Sequence, residues 1–515
     1  MPRTEVLIAG AGPTGLALAL WLTRLGVRIR IIDRASEPGT TSRALGVQSR
    51  TLELYRQLDL DRAVIERGLR VPAVNLWARG RRAARIPLAA IGEHLTAYPF
   101  VYMFPQEQHE RLLIERLQQL GVTVGRGTEL TAFTDDGERI SAQLRLADGR
   151  EESCEAAYLA GCDGARSRVR ETLATGFRGG TYRHLFYVAD VSGSGPPVDG
   201  ELHVDLDEAD FLAVFPLPGA GRVRLVGTVR DERADHADTL QFADVGGRAM
   251  GQLRLAVQQV NWFSTYHVHH RVTGRFRGGR AFLLGDAAHI HSPVGAQGMN
   301  TGIGDAANLA WKLAAVLAGE AGAGLLDSYE VERGAFAQRL VATTDRVFSF
   351  VTATGAFAGL VRTRAAPMLL SAGLAYAPLR RFLFRTVSQI SLNYRGMPLS
   401  EGVAGRIHGG DRLPWVAQGA TDNHAPLKAI AWQVQVYGTA SEEVRAACAR
   451  RGLSLTVFAW TPAYQAAGFG RDALYLLRPD TYVALAQGAA DPAALERYFA
   501  GRGLEPRLAA GRAHS

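Results

Sequence analysis

The first residues able to do chemistry are Gly10-Ala11-Gly12-Pro13-Thr14-Gly15, set between an apolar run and a helical pattern, with Asp33 closing the next apolar run. Glycines at these spacings allow a tight turn and bring the backbone close to a pyrophosphate. The helix that follows offers unpaired N–H groups and the positive end of its dipole. A carboxylate at the end of the second strand can accept ribose hydroxyls. Gly10, Gly12, Pro13, Thr14, Gly15, Asp33 and the adjoining Arg34 are therefore expected to hold part of a dinucleotide.

That fingerprint does not separate flavin from nicotinamide, and two further motifs bear on the choice. Gly161-Cys162-Asp163-Gly164-Ala165-Arg166-Ser167-Arg168-Val169-Arg170 follows an apolar run and opens a basic helix. It would set a carboxylate and arginine donors beside backbone N–H groups, as a phosphate-bearing cofactor requires, although an ordinary N-capped helix looks the same. Gly285-Asp286-Ala287-Ala288-His289, then Pro293, then Gly295-Ala296-Gln297-Gly298-Met299-Asn300, is more specific. Asp286 at a strand end can accept hydrogen bonds from ribityl hydroxyls. The helix that follows, with Gly298, Met299 and Asn300 leading into it, would aim its positive end where a reduced flavin gathers negative charge.

In this order the three motifs resemble the FAD-dependent aromatic hydroxylases, the flavoprotein monooxygenases that include para-hydroxybenzoate hydroxylase and the phenol and polyketide hydroxylases. The resemblance covers essentially the whole chain, including Ser42-Arg43-Ala44-Leu45-Gly46-Val47, Pro105-Gln106 and Gly279-Arg280. It implies that Asp33 binds the adenosine ribose, that Arg43 and Gln106 contact FAD, that Asp163 serves FAD and NAD(P)H, and that Asp286 and Pro293 line the flavin. It implies NAD(P)H, with NADPH preferred, as a transient reductant, and O2 activated as a flavin C4a-hydroperoxide that hydroxylates a phenolic or polyketide-type aromatic. Ala296 departs from the family, which usually has a second glycine there. Gly410-Asp411-Arg412-Leu413-Pro414 and Leu477-Arg478-Pro479-Asp480 resemble the thioredoxin-like domain of the phenol and polyketide hydroxylase branch. Without a CxxC, that domain is expected to serve dimer contact or stability.

The elements that must position these residues read as an α/β protein. A strand at Glu5 to Ala9, a helix from Pro13 to Leu25 stopped by Gly26, and a strand at Val27 to Ile32 form a βαβ unit, hence a Rossmann-like parallel sheet. A helix from Glu110 to Leu120 and a strand at Val122 to Val124 suggest a further unit. From about Gly176 to Gly274 the pattern changes to alternating strands, including Gly200 to Asp205, Phe211 to Phe215 and Arg222 to Val229. That predicts an inserted antiparallel β-sheet, the substrate domain, before the chain returns to a strand at Ala281 to Leu284 and a helix from Thr301 to Leu317. The expected boundaries are 1–175 and 275–395 for the FAD-binding domain with its helical region, 176–274 for the inserted sheet, and 396–515 for the C-terminal αβ domain. Candidate pocket residues are Tyr102, Phe104, Phe211, Phe215 and Arg224, although apolar strand residues are more often core. No catalytic base stands out.

Composition narrows the remaining classes. The 515 residues suggest about three domains at roughly 100–200 residues each. A net charge of +8 with no basic run gives nucleic-acid binding little support. Nearly all of the positive charge is arginine; Lys312 and Lys428 are the only lysines. Cys154, Cys162 and Cys448 are widely spaced and follow no secretory signal, which points to a reducing cytoplasm. The apolar stretches Phe348 to Val361 and Ala365 to Leu379 are each shorter than the ~20 residues of a spanning helix, so buried or interfacial helices are expected there. The histidines His267, His269, His270, His289 and His291 lack partners at metal-ligand spacing. No nucleophile motif of a hydrolase and no WxWxIP pattern of a flavin-dependent halogenase is present. Two other readings stay open: a Baeyer–Villiger oxygenase on the same fold, and a non-catalytic scaffold that holds FAD.

Overall fold

The computed structural model describes residues 3–40, 44–88, 91–205, 211–229, 240–291, 297–352, 376–488 and 491–506. Arg43, Pro293, Ala296 and most of the two apolar stretches after Phe348 lie outside the described residues.

The first sheet grows from Arg3–Ala9, whose Val6, Leu7 and Ile8 are fully buried. It pairs in parallel with Ile29–Asp33 on one side and with Glu151–Gly161 on the other, and the latter pairs in parallel with Ala281–Leu283. A strand buried on both faces carries a continuous apolar run, which is what these segments have. Helix Pro13–Arg24 begins with proline at its first position, where a missing N–H costs nothing. Its residues from Gly15 to Leu22 are all buried, because it is enclosed between the sheet and helix Gly298–Leu317.

Helix Gln106–Gln119 starts four residues before the apolar periodicity does. The strand expected at Val122 to Val124 lies instead at Gly125–Arg126, pairing with Ile32 and Asp33. The cause is the helix C-terminus: Gly121 is left-handed at φ +77°, and the Val122 N–H donates to the Leu117 carbonyl at 3.0 Å. The chain is therefore still capping the helix where a strand was expected.

The second sheet has eight strands, with Arg178–Ser194 and Ala256–Val272 as its long antiparallel pair, followed by Arg222–Thr228, Leu212–Pro216 and Leu202–Asp205. It reaches beyond 176–274. Leu202–Asp205 pairs in parallel with Ala73–Ala78, which forms a hairpin with Arg81–Pro87, and the far edge takes His289–Ile290.

The third sheet is C-terminal. Gln433–Tyr437 pairs in parallel with Ser454–Phe458 across helix Glu442–Arg450, and antiparallel with Leu474–Leu477, which forms a hairpin with Val483–Gln487. Helix Pro492–Ala500 closes the unit. Numbered in chain order, these four strands lie 4-3-1-2, the thioredoxin arrangement. Its core is continuous with helix Gly298–Leu317 through Trp311 and Trp432, whose rings meet edge to face at 5.5 Å. Among the described residues no helix is long and apolar enough to cross a membrane.

Candidate cofactor site

The three glycines of the first motif have separate physical reasons. Gly10 turns the chain at φ +103°, and a side chain there would run into the Cys162 carbonyl; one at Gly15 would strike the carbonyl of Gly10. Gly12 is different. Its φ of −77° suits any residue, and a Cβ there would meet nothing within 4 Å. Neither conformation nor packing requires glycine at this position, and the open space around it would let a ligand approach the backbone closely. Helix Pro13–Arg24 opens here with no side-chain cap, leaving its first-turn N–H groups to a ligand or solvent.

Asp33 sits at the end of its strand with each carboxylate oxygen oriented by the backbone. Oδ2 accepts the Ala11 N–H at 2.7 Å and Oδ1 accepts the Ala35 N–H at 2.8 Å. Arg126 stands 3.9 Å from Oδ1. Opposite is Asp163, whose Oδ2 accepts the Val169 N–H at 3.2 Å, while its buried Oδ1 has no hydrogen-bond partner. Burial raises this carboxyl above its ordinary range. Asp33, Asp163, Gly10 and the exposed Arg34, together with Arg166 and Arg168, line one cleft of about 280 Å³. An open face at Gly12, oriented ribose acceptors, an unfinished buried carboxylate and surrounding guanidinium groups fit the adenosine and pyrophosphate half of FAD.

The second motif is tied to the third. Ser167 caps helix Arg168–Leu173 by accepting the Arg170 N–H at 3.0 Å. Arg170 then donates to the Ala287 carbonyl at 2.9 Å and to the Ala165 carbonyl at 2.7 Å. The third motif forms a turn, Gly285–Ala287, entered at φ +58°, on which Asp286 is exposed between buried neighbours. A side chain at Gly285 or at Gly302 would collide with Thr14. Thr14 is thus the point where the first and third motifs touch.

Sequence reasoning missed Asp305. This buried carboxylate accepts the Gly285 N–H at 3.0 Å, contacts His289 Nε2 at 2.7 Å and accepts Arg333 Nε at 2.6 Å. Burial alone would raise its pKa, but the Arg333 guanidinium and His289 outweigh it and hold it below the usual range. It therefore fixes the turn that carries Asp286. The available signal was the one acid in the middle of a largely apolar helix.

Asn300 lies in the first turn of helix Gly298–Leu317, whose N-terminus has no side-chain cap. Its Oδ1 accepts the Gln48 N–H at 2.9 Å and the Thr51 hydroxyl at 2.7 Å, and its Nδ2 donates to the Gly46 carbonyl at 2.9 Å. The side chain of Asn300 thus staples residues 46–51 to the helix, which leaves the backbone N–H groups around Gly298 and Met299 as the part suited to a ligand. Gln106 donates its backbone N–H to the Ala44 carbonyl at 3.1 Å and its side-chain amide to Glu110 at 2.8 Å.

The aromatic candidates separate. Tyr102 and Phe104 lie inside the main core; the Tyr102 hydroxyl donates to the Val64 carbonyl at 3.1 Å and also contacts the Ile65 carbonyl, and Phe104 packs on His109. Phe211 packs in a separate cluster with Phe186 and Tyr266. Phe215 and Arg224 are cross-strand neighbours facing the segment at Ala44 and Leu45. Arg224 is buried and gripped by Asp190 through two hydrogen bonds of 2.6 and 2.8 Å, so its charge is already matched.

Two parallel strands around a glycine turn, with a second carboxylate on a neighbouring strand and a helix N-terminus behind a third motif, define an FAD-binding protein. The FAD binding domain family matches residues 3–344. The chain is 39% identical over 447 residues to 6-methylpretetramide 4-monooxygenase of Streptomyces rimosus, covering 83% of this chain and 76% of the relative. An anhydrotetracycline hydroxylase from Streptomyces rimosus superposes with a TM-score of 0.76 at 28% identity, over 98% of this chain and all of that one. A Diels-Alderase of pyrroindomycin biosynthesis superposes with a TM-score of 0.77, also at 28% identity, over 98% and 100%. The chain belongs to the FAD binding domain family, within the FAD-dependent aromatic hydroxylases, and is an FAD-dependent monooxygenase.

Proposed function

We propose that this enzyme hydroxylates an aromatic small molecule of polyketide or phenolic type, using O2 as oxygen donor and NADPH in preference to NADH. The observation that carries the reading is the cleft lined by Gly10, the oriented Asp33 carboxylate and Asp163 with its unpartnered oxygen, in a chain 39% identical over 447 residues to 6-methylpretetramide 4-monooxygenase.

Gly10, Gly12 and Gly15 admit the pyrophosphate to the open end of helix Pro13–Arg24, with Pro13 and Thr14 shaping the entry. Asp33 orients the adenosine ribose, and Arg34 adds positive charge at the phosphates. Asp163 accepts a cofactor hydroxyl, and Asp286 on its braced turn faces the ribityl chain. The N-terminus of helix Gly298–Leu317, at Gly298, Met299 and Asn300, stabilises negative charge on the ring. Family resemblance adds Arg43, Gln106 and Pro293 to this set. FAD, when bound, supplies hydride acceptance from NADPH and activation of O2. Phe215, beside Arg224 on the second sheet, is the candidate best placed to line the substrate wall and keep water from the reacting centre. Three buried free thiols suit a reducing compartment such as the cytoplasm.

The test is the visible spectrum of the purified protein, then NADPH and NADH oxidation with and without a panel of phenols and polycyclic aromatics. A yellow protein whose NADPH consumption rises with one aromatic class, giving a product heavier by one oxygen, is the expected result. Failure to take up FAD would end the reading.

A further inference from the structure

The C-terminal motifs Gly410–Pro414 and Leu477–Asp480 line no part of the cofactor cleft, yet the structure gives both a use. Arg478–Thr481 is the tight turn between strands Leu474–Leu477 and Val483–Gln487, closed by the Thr481 N–H donating to the Arg478 carbonyl at 2.9 Å. Each of its residues reaches into the FAD-binding part of the chain. Arg478 donates to both carboxylate oxygens of Glu332 at 2.6 and 2.9 Å. The Pro479 carbonyl accepts Gln57 Nε2 at 2.7 Å. The Asp480 carbonyl and the Thr481 hydroxyl accept Arg50 Nη2 at 3.0 and 2.8 Å, and Asp480 Oδ2 accepts Asn308 Nδ2 at 3.3 Å. From the other motif, Arg412 donates to Glu53, on the same helix as Arg50, at 2.8 Å.

Two of these partners belong to the helices that meet at Asn300. Arg50 is in helix Ser49–Tyr55, which starts directly after Gln48. Asn308 is eight residues behind Asn300, roughly 12 Å along the long helix at about 1.5 Å per residue. Asn300 is the residue at which the two helices are joined, through Gln48, Thr51 and Gly46. Thr481 adds an independent observation. It is β-branched yet left-handed, at φ +70°, a conformation that persists only where surrounding contacts over-determine it.

We propose that the Arg478–Thr481 turn is a positioning element of the flavin site. By holding Arg50 and Asn308 at once, it sets the separation of the two helices and so the place of the N–H groups at Gly298 and Met299, which the proposed function assigns to the flavin. Arg50, Asn308 and Thr481 are positioning residues; none lines the cofactor cleft. The inference rests on assigning that helix end to the flavin ring.

The test compares full-length Thr481→Gly and Arg50→Met with Arg56→Met. Arg56 bridges the same two parts of the chain through Asp422, at 2.8 and 2.9 Å, without contacting residues 46–51 or Asn300. FAD affinity is measured by titrating each apoprotein, the ring environment by visible circular dichroism of the holoenzyme, and stability by apoprotein Tm. Glycine adopts the left-handed conformation freely, so Thr481→Gly is expected to keep or raise Tm while weakening FAD binding on the order of ten-fold and altering the flavin dichroism. Arg50→Met shows the same weakening, and Arg56→Met lowers Tm with FAD affinity and dichroism unchanged. Wild-type affinity and dichroism in Thr481→Gly and Arg50→Met would overturn the proposal, as would equal changes in Arg56→Met. A wild-type protein that takes up no FAD would instead sink the cofactor reading beneath it.

Discussion

The cofactor cleft and the buried seam behind it are both rich in charge, and they treat charge in opposite ways. In the cleft, Asp33 is oriented by backbone amides and remains open to a ligand, Asp163 keeps an unpartnered oxygen, and Arg34 is exposed. In the seam, the side chains of Lys312, Glu332, Arg478 and Asp480 are essentially inaccessible, and hydrogen bonds join them: Lys312 to Glu332 at 2.8 Å and Arg478 to Glu332 and Asp480. Burial would raise the Glu332 pKa, but Arg478 and Lys312 outweigh it and bring it down to about 2. Lys312 also falls, to about 8, because for it burial outweighs the attraction of Glu332. The bidentate arginine is what keeps Glu332 ionised. Groups left unfinished mark where a ligand belongs; groups finished in the dry interior mark a scaffold.

The sharpest way to break that contrast is Arg478→Met. It strands two carboxylates in the interior and should lower unfolding free energy by about 3–5 kcal/mol, read from urea denaturation. A change near zero would mean that the seam is not the closed network described here.

Acid comes next. Glu332 and Glu53 both sit near 2 in the folded protein against an ordinary 4.5; for Glu53, burial opposes the shift and Arg412 leads it. A depressed carboxylate contributes stability that is fully present above about 4.5 and is lost as pH falls toward about 2. Each should account for on the order of 3 kcal/mol across that window. Denaturation midpoints from pH 5 to 2.5 measure it, and Glu332→Gln should flatten part of the slope. The cleft gives the smallest effect on stability and a large one on binding. In Gly12→Val the new Cβ has no protein atom within 4 Å, so apoprotein Tm should hold while FAD affinity falls roughly 100-fold or more. A Gly12→Val protein that binds FAD as wild type does would remove the ligand explanation for this glycine.

Much of the cleft was legible in the sequence because its parts are local. A strand, a glycine turn and a helix N-terminus occupy a dozen consecutive residues, and Asp33 ends the very next strand. Helix starts were less legible: Gln106-Glu107-Gln108 and Gly298-Met299-Asn300 belong to their helices, but polar or small first turns carry no apolar periodicity. The pairing of Leu202–Asp205 with Ala73–Ala78 had no local sign at all, since parallel partners can lie anywhere in the chain. Alternating aromatics also could not tell Tyr102 and Phe104, both in the core, from Phe215, which packs at the edge of the second sheet's cluster.

The sequence by itself determined the βαβ start and the order of the three cofactor motifs, because each is written in short-range periodicity, glycine placement and strand-end carboxylates; the thioredoxin-like end of the chain came from family resemblance. Only the tertiary structure decided that Asp305 braces the Asp286 turn, that Asn300 spends its side chain on residues 46–51, and that a four-residue turn near the C-terminus holds Arg50, Asn308 and Glu332 together. A buried charge is tolerable only where its partners converge, and for Arg50, Asn308 and Glu332 that convergence joins residues more than a hundred positions apart, a distance at which spacing along the chain carries no information.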